Sequence, residues 1–157
     1  MSAQTVPSVL FVCLGNICRS PLAEAAFRRE AERAGLKCDV DSAGTGDWHV
    51  GCPPDRRAQT VAKAHGIDIS GYRARQVRAE DFSRFKHIFA LDNENLANLG
   101  ETMPANATAE LSLLMDVVDG RQGEAVADPY FGDDDGFLVT WADVESAAQA
   151  LVKRLAP

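Results

Sequence analysis

Short apolar runs alternate along this chain with stretches of helical period, and that alternation leaves few architectures open. Val9-Leu10-Phe11-Val12-Cys13 is a continuous apolar run of strand length, as expected of a strand covered on both faces. After Ser20-Pro21, residues Ala23, Phe27, Ala31 and Ala34 recur at helical spacing, and Gly35 supplies a stop. Leu36-Lys37-Cys38-Asp39-Val40 alternates as a second strand, and Thr45 to Pro54 is rich in turn residues. Ala58, Val61, Ala62 and His65 form another helical face closed by Gly66, which gives His65 a core or capping role. His87 to Leu91 reads as a third strand and Ala109 to Met115 as a fourth. Phe137, Trp141, Val144, Ala148, Leu151 and Leu155 step by fours and threes along a closing helix. Asp133-Asp134-Asp135 fits the N-terminal end of that helix better than a metal site. Strand–helix–strand units demand right-handed crossovers. The expected fold is therefore α/β, a three-layer α/β/α arrangement with a four-stranded parallel twisted sheet flanked by helices. Ligands of such sheets bind at the carboxyl ends of the strands.

No repeat, linker or low-complexity tract divides the 157 residues, so a single domain spanning 1–157 is expected. Sixteen Lys+Arg against 23 Asp+Glu leave a net charge of −7, which argues against a nucleic-acid partner while leaving room for a locally positive pocket. No apolar run is long enough for a membrane span. The opening Met1-Ser2-Ala3-Gln4-Thr5-Val6-Pro7 lacks the basic and apolar regions of a secretory signal. A cytoplasmic protein with reduced thiols is the expectation, no membrane partner is foreseen, and a monomer is the expected state. The four cysteines, Cys13, Cys18, Cys38 and Cys52, have no histidine cluster beside them, so neither a metal nor an organic cofactor is expected.

The chemistry concentrates between the first strand and the first helix, in Cys13-Leu14-Gly15-Asn16-Ile17-Cys18-Arg19-Ser20. A loop so placed aims successive backbone N–H groups and a helix N-terminus at one point, which makes an anion cradle. Gly15 permits a positive φ and Asn16 tolerates one better than most residues. The planar fork of Arg19 is suited to grasping two phosphoryl oxygens. Cys13, at the base of the cradle among donors and positive potential, is a candidate nucleophile toward phosphorus. The loop lacks the Gly-Lys-Ser/Thr of nucleotide-binding loops and the glycine pattern of dinucleotide sites. A leaving group needs a proton, and Asp128 in Ala127-Asp128-Pro129-Tyr130-Phe131-Gly132 is the best candidate donor, with Pro129 biasing it toward an extended backbone.

With these residues the sequence resembles the low-molecular-weight protein tyrosine phosphatases over nearly its whole length. Val9 to Pro21 resembles the signature loop of that family. Asp41-Ser42-Ala43-Gly44, Asp47-Trp48-His49-Val50-Gly51, Ala74-Arg75-Gln76-Val77 and Asp128-Pro129-Tyr130 follow in the family's order. The resemblance implies a two-step hydrolysis of tyrosine-phosphorylated protein substrates through a phosphocysteine. Cys13 would be the nucleophile, Arg19 the phosphoryl clamp and Asp128 the acid and then the base. Leu14, Gly15, Asn16, Ile17 and Cys18 would line the phosphoryl group, and Ser20 would hydrogen-bond the Cys13 sulfur. Asn16, helped by Ser42, would hold the loop in shape, and Asp92 would steady Arg19. Trp48 and Tyr130 would wall a pocket for a phenyl ring.

One departure stands out. Many members carry a histidine that supports the loop asparagine where this chain has Tyr72, whose hydroxyl either takes over that hydrogen bond or leaves it unmade. Four alternatives share the resemblance or its loop. An arsenate reductase needs relay cysteines downstream, and none follows Cys52. The family's phosphoarginine phosphatases carry Thr where this chain has Ile17. A non-catalytic phosphate-binding or redox-sensing module would not require Cys13, Arg19 and Asp128 together. Members tied to exopolysaccharide kinases often lack the wall tryptophan present here as Trp48. Cys13 and Cys18 on one tight loop also suggest a reversible disulfide, with Cys18 resolving an oxidised Cys13.

Overall fold

The computed structural model describes residues 6–156. The reading of the first five residues as free of a secretory signal lies outside that range. Strands β1 (Ser8–Cys13), β2 (Asp39–Gly44), β3 (His87–Ala90) and β4 (Glu110–Leu113) form one sheet in the order β2-β1-β3-β4, with every pair parallel. Helix α1 (Arg19–Arg33) joins β1 to β2, α2 (Arg56–Ala64) and the short α3 (Asp81–Arg84) lie between β2 and β3, and α4 (Asn93–Thr102) joins β3 to β4. A single 3-10 turn (Leu114–Val117) and an irregular stretch lead to the long α5 (Asp134–Leu155).

Alternation along β1 divides the core between the two faces of the sheet. Val9, Phe11 and Cys13 pack in the layer of α1 and α5, whereas Leu10 and Val12 join Phe82, Phe85 and Leu99 on the other side. Both faces are buried, which is why β1 reads as an unbroken apolar run. Strand order reverses at β1, which lies between β2 and β3, so the chain moves from it first to one side of the sheet and then to the other. The loop leaving β1 therefore opens into the crevice where such sheets bind ligands.

The glycine stops are Schellman caps. Gly35 (φ +68°) and Gly66 (φ +80°) take the left-handed position, and the residue after each donates back to the third helical residue from the end, Leu36 N–H to Ala31 O and Ile67 N–H to Ala62 O. His65 is the C-cap of α2 and stacks on Trp141 with 4.6 Å between ring centres; it is exposed, so of the two roles expected of it the structure shows the capping one and not the core one.

Three expectations shift. The second strand runs Asp39–Gly44, not Leu36–Val40, because Leu36 is consumed by the helix cap and the ladder starts where Asp39 N–H meets Pro7 O. The fourth strand ends at Leu113, and Leu114 and Met115 turn into the 3-10 segment to bury themselves in the core. Helix α4 goes unforeseen, since it buries only Asn95 and Leu99 and so carries almost no periodic signal. The triple aspartate does begin α5, with Asp133 at the cap and Asp134 and Asp135 in the first turn.

Candidate active site

The loop from Cys13 to Arg19 has the placement expected of an anion cradle, between the end of β1 and the head of α1. No side chain caps α1, which leaves its first amides to the loop concavity. Asn16 sits at φ +58°, the one non-glycine residue with positive φ among those described. A strained residue persists only when its surroundings over-determine it, and those of Asn16 do so. Its Nδ2 donates to Ser20 Oγ (2.8 Å) and Ser42 Oγ (3.0 Å), and its Oδ1 accepts from Arg75 N–H (3.0 Å). Gly15 departs from expectation, for its φ is not in the left-handed region. Its missing side chain makes room instead for His49, whose Cδ2 would lie 3.0 Å from a Cβ at that position.

Cys13 is 3% exposed, and its sulfur lies 3.0 Å from Ser20 Oγ. Because Asn16 already donates to that hydroxyl, the Ser20 proton has two acceptors within reach, the sulfur at 3.0 Å and Ala43 O at 3.5 Å. Behind Asn16 the network continues. Ser42 accepts from Asn16 and donates to Glu24 Oε1 at 2.8 Å, and Glu24 pairs with Arg28 at 2.8 Å. Burial pushes the Glu24 carboxyl up, against the hydrogen bond from Ser42 and the charge of Arg28. This answers the Tyr72 question. Tyr72 is not a hydrogen-bond partner of Asn16; its hydroxyl, pushed up to about 12 by burial and by Glu24, lines a small polar cavity behind the loop together with Glu24 and Ser42. The support comes from the serine and the buried carboxylate.

Arg19 heads α1 and is 3% exposed. Its Nη1 donates to Asp92 Oδ2 (2.7 Å) and Val126 O (3.0 Å), and its Nη2 lies 3.6 Å from Asp128 Oδ2. Burial works against its charge, and Cys13, Asp92 and Asp128 more than offset that. Asp92, two residues past the end of β3, also caps α4 through Asn95 N–H at 2.7 Å, so one carboxylate fixes both a helix and the guanidinium. Asp128 is partly exposed, with Oδ1 accepting from Tyr130 N–H at 3.1 Å. The two arms of the guanidinium thus link the cradle to a carboxylate far along the chain.

Trp48 is 70% exposed on the loop after β2, and its ring lies over Gly46, where a Cβ would fall 1.8 Å from it. Tyr130 faces His49 across 6.3 Å between ring centres. Ile17 is half-buried against the core, and its carbonyl accepts from Asp55 N–H at 2.8 Å. Cys18 is buried, and burial followed by the charge of Asp55 pushes its thiol well above the usual range. Among the described residues no group of three or more His, Cys, Asp or Glu is arranged to hold a metal ion, and no helix is long and apolar enough to cross a membrane. Sequence reasoning missed Glu24 and the Asp55–Arg57 pair, and it gives no role to His49, which lies in a family motif. Arg75, which ties Asp41 to the bidentate acceptor Asp81, was quoted in a motif without a role.

The family model described as low molecular weight phosphotyrosine protein phosphatase matches residues 8–157. The chain belongs to that family. The phosphatase is 43% identical over 151 residues to the low molecular weight phosphotyrosine protein phosphatase of Schizosaccharomyces pombe, covering 94% of this chain and 96% of the relative. Among solved structures it resembles Primo-1 with a TM-score of 0.90 and 38% identity, covering 94% of this chain and 97% of that one. It also resembles the Drosophila arginine phosphatase DARP, with a TM-score of 0.88, 33% identity and coverage of 95% and 98%. Membership makes the chain a hydrolase of the phosphotyrosine protein phosphatase family, on the α/β fold that its structural neighbours share.

Proposed function

We propose that the chain hydrolyses phosphotyrosine in proteins, and aryl phosphates generally, through a phosphocysteine, as a single-domain enzyme without metal or organic cofactor. In the first step the Cys13 sulfur attacks phosphorus while the loop amides and Arg19 hold the phosphoryl oxygens. The bond to the tyrosine oxygen breaks, and Asp128 gives its proton to the departing phenolate. In the second step Asp128, now ionised, takes a proton from water as the water oxygen attacks phosphorus. The P–S bond breaks and the thiolate returns, received by the Ser20 hydroxyl 3.0 Å away. The observation that carries this reading is the buried guanidinium of Arg19, fixed by Asp92 at 2.7 Å and reaching toward Asp128 at 3.6 Å from the head of the cradle.

Substrate choice follows from the rim. A phosphate on a long planar ring reaches Cys13 between aromatic side chains, whereas the short arm of phosphoserine brings its backbone against them. Ile17 offers an apolar contact and no acceptor for a guanidinium, which supports phosphotyrosine over the phosphoarginine suggested by the DARP neighbour.

The test is kcat/KM on matched peptides. Phosphotyrosine should exceed phosphoserine and phosphoarginine by at least about tenfold. Cys13→Ser should abolish turnover, and Asp128→Ala should slow it by on the order of 10²–10⁴-fold, most for poor leaving groups. Equal rates on phosphoarginine would overturn the reading of Ile17, and full activity in Asp128→Ala would move the acid elsewhere.

A further inference from the structure

Asp128 stands on a stretch without regular structure between the 3-10 turn and α5, yet a proton donor must be held to a fraction of an ångström. Within residues 128–132 the segment's own hydrogen bonds are two, Tyr130 N–H to Asp128 Oδ1 at 3.1 Å and Gly132 N–H to Pro129 O at 3.0 Å. Neither ties the segment to the rest of the protein. Arg19 and Thr140 hold the chain just before it, at Val126 O and Ala127 O, but among the described residues the side chain from another element that hydrogen-bonds the backbone of residues 128–132 is Arg57, in the first turn of α2. Its Nη2 donates to Tyr130 O at 2.9 Å and its Nη1 to Gly132 O at 3.0 Å.

Arg57 is itself locked. Asp55, the N-cap of α2, accepts from Arg57 N–H at 2.8 Å and from Nε and Nη2 at 3.1 Å each. The ring of Phe137 lies 4.6 Å from the guanidinium carbon and that of Tyr130 lies 5.9 Å away. The other end of this strut is the cradle, because Asp55 N–H donates to Ile17 O at 2.8 Å. A continuous run of hydrogen bonds thus leads from the phosphate loop through Asp55 and Arg57 to Tyr130, whose N–H holds the carboxylate of Asp128.

We propose that Arg57 is a positioning residue for the proton donor, holding the Asp128 segment against the cradle while touching none of the reacting atoms. The proposal rests on the reading of Asp128 as general acid. Five donors in one plane are what the place requires: two carbonyls and one carboxylate are met at once, and a lysine ammonium cannot span them.

The experiment is a double-mutant cycle read with two leaving groups. Phenyl phosphate needs a proton on its departing oxygen, and 2,4-dinitrophenyl phosphate does not. Arg57→Met keeps an unbranched side chain over Phe137. It should lower kcat/KM for phenyl phosphate by on the order of 10–100-fold, and for the dinitrophenyl ester far less. In an Asp128→Ala background the same substitution should change kcat/KM by less than about twofold, because the group it positions is gone. Arg57→Lys should behave as Arg57→Met and carries the comparison if Arg57→Met does not fold, as judged by thermal melting. Equal losses on both esters, a loss that persists undiminished without Asp128, or no loss at all would overturn the proposal. If Asp128→Ala itself shows no leaving-group dependence, the acid assignment falls and the role of Arg57 falls with it.

Discussion

Substituting Gly44 by alanine probes how rigidly the phosphate loop is held. A Cβ on Gly44 would lie 2.8 Å from Leu14 O, 3.2 Å from Gly15 C and 3.3 Å from Asn16 Cβ, all within the cradle and two of them backbone atoms. Gly44 does not have a positive φ, so alanine suits its backbone and the effect is steric alone. Neither side yields easily. Gly44 N–H donates to Arg75 O and its carbonyl accepts from Val77 N–H, both at 2.8 Å, while Leu14 O is held by Gly46 N–H at 2.9 Å. Ordinary contact requires a shift of roughly half an ångström. Overpacking of this kind costs about 1–3 kcal/mol, which for a domain of this size lowers Tm by roughly 2–10 °C. Because the displaced amides are those aimed at the phosphoryl group, kcat/KM should fall by about tenfold, given that about 1 Å of misplacement costs on the order of 10²-fold. Melting by circular dichroism and steady-state hydrolysis of 4-nitrophenyl phosphate provide the two readouts. A variant with wild-type kcat/KM would refute the claim that the loop is rigid against β2, whatever its melting temperature.

Mild peroxide should inactivate the enzyme reversibly by linking Cys13 to Cys18, and Cys18→Ser should make the loss harder to reverse by thiol reductant; a peptide map without that link after oxidation rejects the idea. Glu24 has its folded-state ionisation raised by burial, so the folded protein binds that proton more tightly than the unfolded chain does. Stability from this group is therefore present at acid pH and lost as pH rises through the raised value. The Tm advantage of wild type over Glu24→Gln should widen as pH falls from 7 toward 5, and an advantage independent of pH would contradict the assignment. Trp48→Ala should raise KM for phosphotyrosine peptides several-fold with a smaller change in kcat, measured by phosphate release; a loss confined to kcat would place the indole in the chemistry instead.

The loop that carries the candidate nucleophile and clamp was legible because it is one contiguous run, Cys13 to Ser20, set between a strand and a helix as the structure also has it. Strand β2 was misplaced for a functional reason. Asp41 and Ser42 are spent on Arg75 and Asn16, so the strand lacks the apolar alternation that would mark it. Of the supports that join distant segments, Ser42 and Asp92 entered through the family resemblance and the others were illegible. Glu24 looks like any helix-surface carboxylate until the fold sets it against Ser42, and nothing near Arg57 in sequence hints that it meets carbonyls more than seventy residues on. Gly15 was assigned the right importance for the wrong reason, since the neighbour its side chain would strike is His49, thirty-four positions away.

The left-handed turn at Asn16, pinned by Ser20, Ser42 and Arg75, has a consequence for what the enzyme releases. A cradle kept in shape by its own hydrogen bonds requires no reorganisation to receive an oxyanion, and it draws no distinction between a phosphoryl group on tyrosine and free inorganic phosphate. Product therefore competes with substrate on the same donors. Phosphate stabilises the folded protein in proportion to the logarithm of its concentration above the dissociation constant. On the proposed mechanism, the same preorganised loop ties net output to the ambient phosphate pool, without a second binding site.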